Sequence, residues 1–198
     1  MELDDDIIIS NTGTIRPKSL GSLYEFYISG QIKSPENYIE MLDTIRHARE
    51  SDVVKLYINS YGGDLFTAIQ FLRVISETNA EVVASIEGAC MSAATLLFLS
   101  ADTVEITPHS NIMIHDYSSG TSGKGGEMHR QIQHERKWSE RLFREIYEEF
   151  LTEDELTSIM DGRDIWLSSD EVMERMNKRS KAFQELAELD AATRPDNE

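Results

Sequence analysis

Residues 87–99 read EGACMSAATLLFL, with one serine, Ser92, where a β-rich stretch gives way to an apolar run. Two readings of Ser92 stand. Gly88, Ala89, Ala93 and Ala94 would let a helix start pack tightly against a sheet, a role that needs no chemistry. A serine held at such a turn can instead act as a nucleophile, with the N–H of the following residue, Ala93, aimed at a developing oxyanion. The GxSxG pattern of an α/β-hydrolase elbow is missing. A serine hydroxyl is inert at neutral pH unless a base takes its proton, and that base needs an orienting partner.

Five histidines are candidates for the base. His47 falls late in a charge-rich helix, as a solvated or C-terminal residue. His109 follows Pro108 in a turn. His129 and His134 share a polar helix, but a spacing of five puts them on different faces, which suits no common metal site. His115 ends the apolar stretch NIMIH and precedes polar residues, so its ring can face a cleft or serve a local structural role. For the third member, DGRDIWLSSDE offers Asp164 before a short apolar strand and Asp161 three residues earlier, either of which also suits a turn. Gly62-Gly63, after LYINSY, forms a tight turn or turns backbone N–H groups toward a cavity. It lacks the GK[ST] of a phosphate loop. Cys90 is a rival nucleophile, with nothing adjacent to lower its thiol pKa.

Strands and helices must bring these residues together. LYEFYISGQI (23–32), VVKLYIN (53–59) and EVVASIEG (81–88) read as strands, and TVEIT and NIMIH as shorter ones. Ser34 with Pro35 marks a helix start, and Asp64, Leu65, Ala68, Ile69, Leu72 and Ile75 mark an amphipathic helix. SSGTSGKGGE (118–127) is a glycine-rich segment leading into a long polar helix, on which Trp138, Leu142, Ile146 and Phe150 recur every four residues. Thr152 with Glu155, and Ser168 with Glu171, fit capping boxes of further short helices. Periodicity weakens after Phe183, so a fraying tail is expected from about residue 178. The alternation predicts right-handed βαβ units and a mainly parallel sheet, with the site at the carboxyl ends of the strands.

Composition limits the rest. The 198 residues suit one domain, and 40% hydrophobic with 28% charged residues is globular usage. A net charge of −17 argues against nucleic-acid binding and anionic membranes. No apolar run approaches the roughly 18 residues of a membrane helix. The acidic start MELDDDIIIS is unlike a secretory signal. A single cysteine excludes an internal disulfide and suits a reducing cytoplasm.

Four segments together resemble the ClpP family of serine peptidases: LYINSYGG its glycine turn, GACMSAATLLFLSA its nucleophile segment, PHSNIMIHDY its histidine segment and GRDIWLSSDEVME its aspartate segment. They occur in the family order, and the similarity spans roughly residues 23–176. The resemblance implies a ClpP/crotonase-like α/β fold of stacked βαβ units in one domain over 1–198. About 1–20 would be an N-terminal segment, about 118–150 a protruding handle and about 178–198 a tail. It implies Ser92 as nucleophile, His115 as general base and Asp164 as its orienting residue. The N–H groups of Gly63 and Ala93 would form the oxyanion hole. Gly120, Gly123, Gly125 and Gly126 would lie on a glycine-rich strand to which an extended peptide adds.

The implied activity is cleavage of unfolded protein or peptide segments inside a chamber of two stacked heptameric rings, a tetradecamer. No cofactor or metal is implied, ATP entering only through a separate AAA+ unfoldase. Family members switch between aligned and misaligned triads, so an aligned resting state does not follow. Several residues depart from the family pattern. Tyr61 stands for a proline, Ala93-Ala94 for Met-Gly, HDY for HQP, and Lys55 for an aromatic residue used to dock unfoldase loops. Two other expectations compete: a crotonase-like hydratase, whose glutamates have no clear counterpart here, and a non-catalytic ring scaffold.

Overall fold

The computed structural model describes residues 8–10, 13–15, 21–147 and 149–193, with side chains over 21–147 and 149–184. Most of the N-terminal segment and the end of the tail lie outside these residues. Two short antiparallel strands, β1 (Ile8–Ser10) and β2 (Gly13–Ile15), precede the main body. There β3 (Leu23–Ile32), β4 (Val53–Gly63) and β5 (Glu81–Met91) form a parallel ladder. Strand β5 then serves two neighbours. Val83–Ile86 pairs in parallel with β6 (Thr103–Ile106), and Ala89–Met91 with β7 (Asn111–Ile114). Antiparallel β8 (Ile165–Ser168) closes the sheet against β7.

Alternation along the strands sends Ile28, Val54, Leu56, Ile58, Val82, Ala84 and Ile86 into the core. Against that face pack α1 (Ile39–His47), α2 (Leu65–Glu77) and α3 (Ala93–Ser100). Ser34 and Pro35 open a short 3-10 turn over Pro35–Asn37, and α1 starts only after it. Asp64 caps α2 by accepting from the N–H of Thr67 at 2.7 Å. The buried face of α2 is Thr67, Ala68, Phe71, Val74 and Ile75, so Leu65, Ile69 and Leu72 flank the contact rather than centre it. In α3 every residue from Ala93 to Leu99 is buried, as expected of a helix apolar all round.

Both central strands outrun their apolar segments, because ladder pairing continues beyond them. Ile58 pairs with Ile86 and Ser60 with Cys90, so β5 carries two extra residues across that interval. The side chain of Asn59 accepts from the N–H of Ala89 at 3.1 Å and braces this bulge. It re-aims the end of β5, as bulges beside sites do.

The long helix α4 (Gly125–Tyr147) buries only Ser139, Phe143 and Tyr147. Trp138, Leu142 and Ile146 lie beside this line, partly covered. Nothing between 125 and 134 is buried, so this end projects from the body. The glycine-rich segment forms no strand, contrary to the expectation. Gly120 and Gly123 lie in irregular chain, and Gly125 and Gly126 open α4 itself. Ser119 donates to Glu135 at 2.7 Å and Thr121 to Gln131 at 2.6 Å, tying the segment back on the helix. Next, α5 (Glu153–Met160) has the Thr152/Glu155 capping box. The Ser168/Glu171 box opens α6 (Ser169–Thr193), which is far longer than the short helix expected and continues past Phe183.

Candidate active site

Ser92 occupies the junction of β5 and α3 with φ +52°, the single non-glycine residue at positive φ among those described. That conformation is sparsely populated for a residue with a Cβ and persists only where surroundings impose it. Here the Ser92 N–H donates to the carbonyl of Met113 at 2.8 Å, and the carbonyl of Ser92 accepts from Thr95 N–H at 2.9 Å. A serine at a helix N-cap usually turns its oxygen to the second or third helical N–H. Ser92 makes no such bond. Its Oγ lies 2.7 Å from Nε2 of His115 instead. Because β7 pairs with the end of β5, the residue just past β7 reaches the residue just past β5. The pair is half-buried, which limits competition from water.

Gly62 lies directly across from Ser92, and Gly63 follows it against Ile32. Gly62 has φ +87°, and a Cβ built on it would stand 2.6 Å from Cβ of Ser92, so only glycine allows this approach. Gly63 and Ala93 both line the cleft that holds Ser92 and His115, a hollow of about 770 Å³. The N–H of Ala93 belongs to the first turn of α3, where helical N–H groups have no intrahelical acceptor. The N-terminal end of α3, with its partial positive charge, therefore lies on the cleft beside Ser92.

Asp164 does not complete the set by contact. Its side chain is exposed, and no hydrogen bond or ion pair joins it to His115 among the described residues. Ile114 pairs with Ile165, the last pair of that ladder, so His115 and Asp164 both lie just beyond its end. Asp161 is the C-cap of α5, 3.9 Å from Arg136. Cys90 is fully buried in the core and burial pushes its thiol pKa up, which removes it as a rival. His47 is exposed and bonds the carbonyl of Asp43.

The four glycines expected to bind substrate do not line the cleft. Its walls include Tyr61, Phe66, Asp116, Glu135 and Trp138 instead, and Phe66 stacks on Trp138 with ring centroids 5.7 Å apart. Sequence reasoning placed none of these at the site, nor His134, which also lines the cleft. Phe66 and Trp138 meet only through a tertiary contact between α2 and α4, and Tyr61 and Asp116 reach the cleft from β4 and the chain after β7, none of which a local pattern announces.

The family model for Clp protease matches residues 26–175. The chain belongs to the Clp protease family. Among its curated relatives are two ATP-dependent Clp protease proteolytic subunits. That of Bacteroides thetaiotaomicron is 23% identical over 157 residues, covering 78% of this chain and 69% of the relative. That of Bacteroides fragilis is 21% identical, covering 78% and 73%. The ATP-dependent Clp protease proteolytic subunit 2 of Treponema denticola is 25% identical over 154 residues, covering 76% and 77%. The family match begins within β3 and ends within α6, so it contains Gly63, Ser92, His115 and Asp164.

Proposed function

We propose that this Clp family protein is a serine endopeptidase that cleaves unfolded peptide segments, with Ser92 as nucleophile. The 2.7 Å contact between Ser92 Oγ and His115 Nε2 carries the reading, because it is the one contact that gives the hydroxyl a base. His115 takes the Ser92 proton as Oγ attacks the scissile carbonyl. The N–H groups of Gly63 and Ala93 hold the oxyanion, and His115 returns the proton to the leaving amine as the acyl-enzyme forms. Water, deprotonated by the same imidazole, then attacks the acyl carbon, the ester bond to Oγ breaks, and the imidazolium returns the proton to Ser92 as the acid leaves. Asp164 orients His115 and stabilises its imidazolium when its side chain turns inward.

The projecting half of α4 supports assembly into rings that enclose the sites, and the tetradecamer is the form we infer from family membership. An AAA+ unfoldase would feed such a chamber. Lys55, held by Glu105 at 2.8 Å on the open sheet face, makes that docking surface more polar than a row of aromatics. Among the described residues no helix is long and apolar enough to cross a membrane, and the buried lone cysteine fits a cytoplasmic setting.

Intact-mass analysis after treatment with a fluorophosphonate provides the test. One adduct on the native protein and none on Ser92→Ala is expected, with peptide turnover in Ser92→Ala down by several orders of magnitude. An unlabelled native protein that is fully assembled would overturn the proposal.

A further inference from the structure

The cleft beside Ser92 combines aromatic walls with carboxylates, and among the described residues no lysine or arginine lines it. Its three acidic side chains are not equivalent. Asp64 is engaged as the cap of α2, accepting from the N–H and hydroxyl of Thr67 at 2.7 and 2.9 Å. Glu135 accepts from Ser119 and Gln131, each at 2.7 Å. Asp116 accepts only the N–H of Tyr117 at 2.8 Å, and among the described residues no cation lies within ion-pairing distance of it. It follows His115 directly, so it stands beside the reacting pair. Arg136, whose charge is felt at Asp116, reaches toward Asp161 at 3.9 Å and does not line the cleft. Burial raises the Asp116 carboxyl above the ordinary aspartate range, opposed by the Tyr117 N–H and by attraction to Arg136 and His115.

We propose that this cleft selects peptide segments carrying lysine or arginine next to the scissile bond, with Asp116 reading the charge. The inference rests on the serine-peptidase reading above. The chemistry of the walls fits a basic side chain better than an aliphatic one. Its methylene stem lies along the stacked Phe66 and Trp138 rings, whose faces also attract a cation. Its charged head then meets a half-buried carboxylate that lacks an ion-pair partner, where attraction is screened less than at the surface. A net charge of −17 adds a long-range field that draws basic segments in and repels acidic ones.

The test uses assembled protein and fluorogenic peptides identical except for lysine, leucine or glutamate at the positions flanking the cleaved bond. The wild type should favour lysine over leucine by about tenfold in kcat/KM, and this preference should shrink as salt is raised. In Asp116→Asn the lysine-to-leucine ratio should fall to about one. In Asp116→Lys the order should invert, with glutamate above lysine, which misfolding cannot produce. Should Asp116→Lys fail to assemble, the ratio in Asp116→Asn decides. If Ser92 takes the fluorophosphonate and peptides are cut, but leucine matches lysine or the ratio ignores both substitutions, the cleft assignment alone is overturned. If the wild type neither labels nor cuts, the peptidase reading falls and this inference falls with it.

Discussion

Gly62→Ala is the substitution that tests how Ser92 is held. Two costs are separable at that position. A φ of +87° disfavours any residue with a Cβ, by about 1–2 kcal/mol in the left-handed region. The added methyl group would also stand 2.6 Å from Cβ of Ser92 and 2.7 Å from the carbonyl oxygen of Met91. Neither neighbour is the end of a flexible side chain, so relief requires the β5–α3 junction to move, an overpacking cost of about 1–3 kcal/mol. Gly30 supplies the control. Its φ of +70° carries a similar conformational cost, but nothing lies within 4 Å of a Cβ placed there. Urea unfolding should therefore show Gly30→Ala destabilised by about 1–2 kcal/mol and Gly62→Ala by about 2–5 kcal/mol. Fluorophosphonate labelling of Ser92 should separate them further. Displacement of Oγ by about 1 Å from a 2.7 Å hydrogen bond costs on the order of a hundredfold in rate, so labelling should collapse in Gly62→Ala and hold in Gly30→Ala. Wild-type labelling in Gly62→Ala, or equal loss in both variants, would refute the claim that close approach of this glycine sets the serine.

Two further outcomes follow from groups outside the cleft. Glu155 closes the Thr152 capping box and takes both guanidinium nitrogens of Arg175, at 2.9 and 2.7 Å. Its hydrogen bonds to Arg175 lead in lowering its pKa from 4.5 to about 2. A carboxyl depressed in the folded state stabilises it fully above the unfolded pKa and loses that contribution as pH falls from about 4.5 toward 2. Chemical denaturation at stepped pH should show this loss in the wild type, and Glu155→Gln should be less stable at pH 7 with a shallower decline across the same window. Cys90 should resist iodoacetamide in the native protein and react once urea unfolds it, because its thiol is fully buried and burial raises its pKa. Rapid alkylation under native conditions, read by mass, would contradict the packing of β5.

The fold was largely legible where a local pattern and a tertiary contact agree. LYEFYISGQI matches β3 to the residue because its β-branched and aromatic residues are bounded by Gly21-Ser22 on one side and Lys33-Ser34 on the other. VVKLYIN and EVVASIEG stop short of Gly63 and Met91, since the ladder that extends β4 and β5 is made by partners remote in sequence. On α4, apolar spacing selects Trp138, Leu142 and Ile146, whereas burial selects Ser139, Phe143 and Tyr147 one position on. Ser139 and Tyr147 look polar or amphipathic in sequence, so a hydrophobic stripe cannot find them. The absent strand at 118–124 has a similar cause. Unpaired glycine-rich chain gains nothing from extension until another strand lies beside it, and here Ser119 and Thr121 bond to α4 instead. Ser92 and His115 emerged from segment order, but the positive φ and the vacated cap that expose Ser92 Oγ are backbone properties with no residue-type signal.

The two aspartates near β8 show what strand register adds. By composition, Asp161 and Asp164 are equivalent turn residues before an apolar strand. In the fold, Asp161 ends α5 and faces Arg136. Asp164 instead directly precedes β8, whose Ile165 pairs with Ile114, so it lies at the end of the ladder where His115 follows β7. Register thus separates two aspartates that composition leaves equal, because only Asp164 is brought to the end of the ladder from which His115 emerges. The Ser92–His115 contact is made within one chain, whereas the Asp164 side chain is exposed and makes no bond to His115 among the described residues.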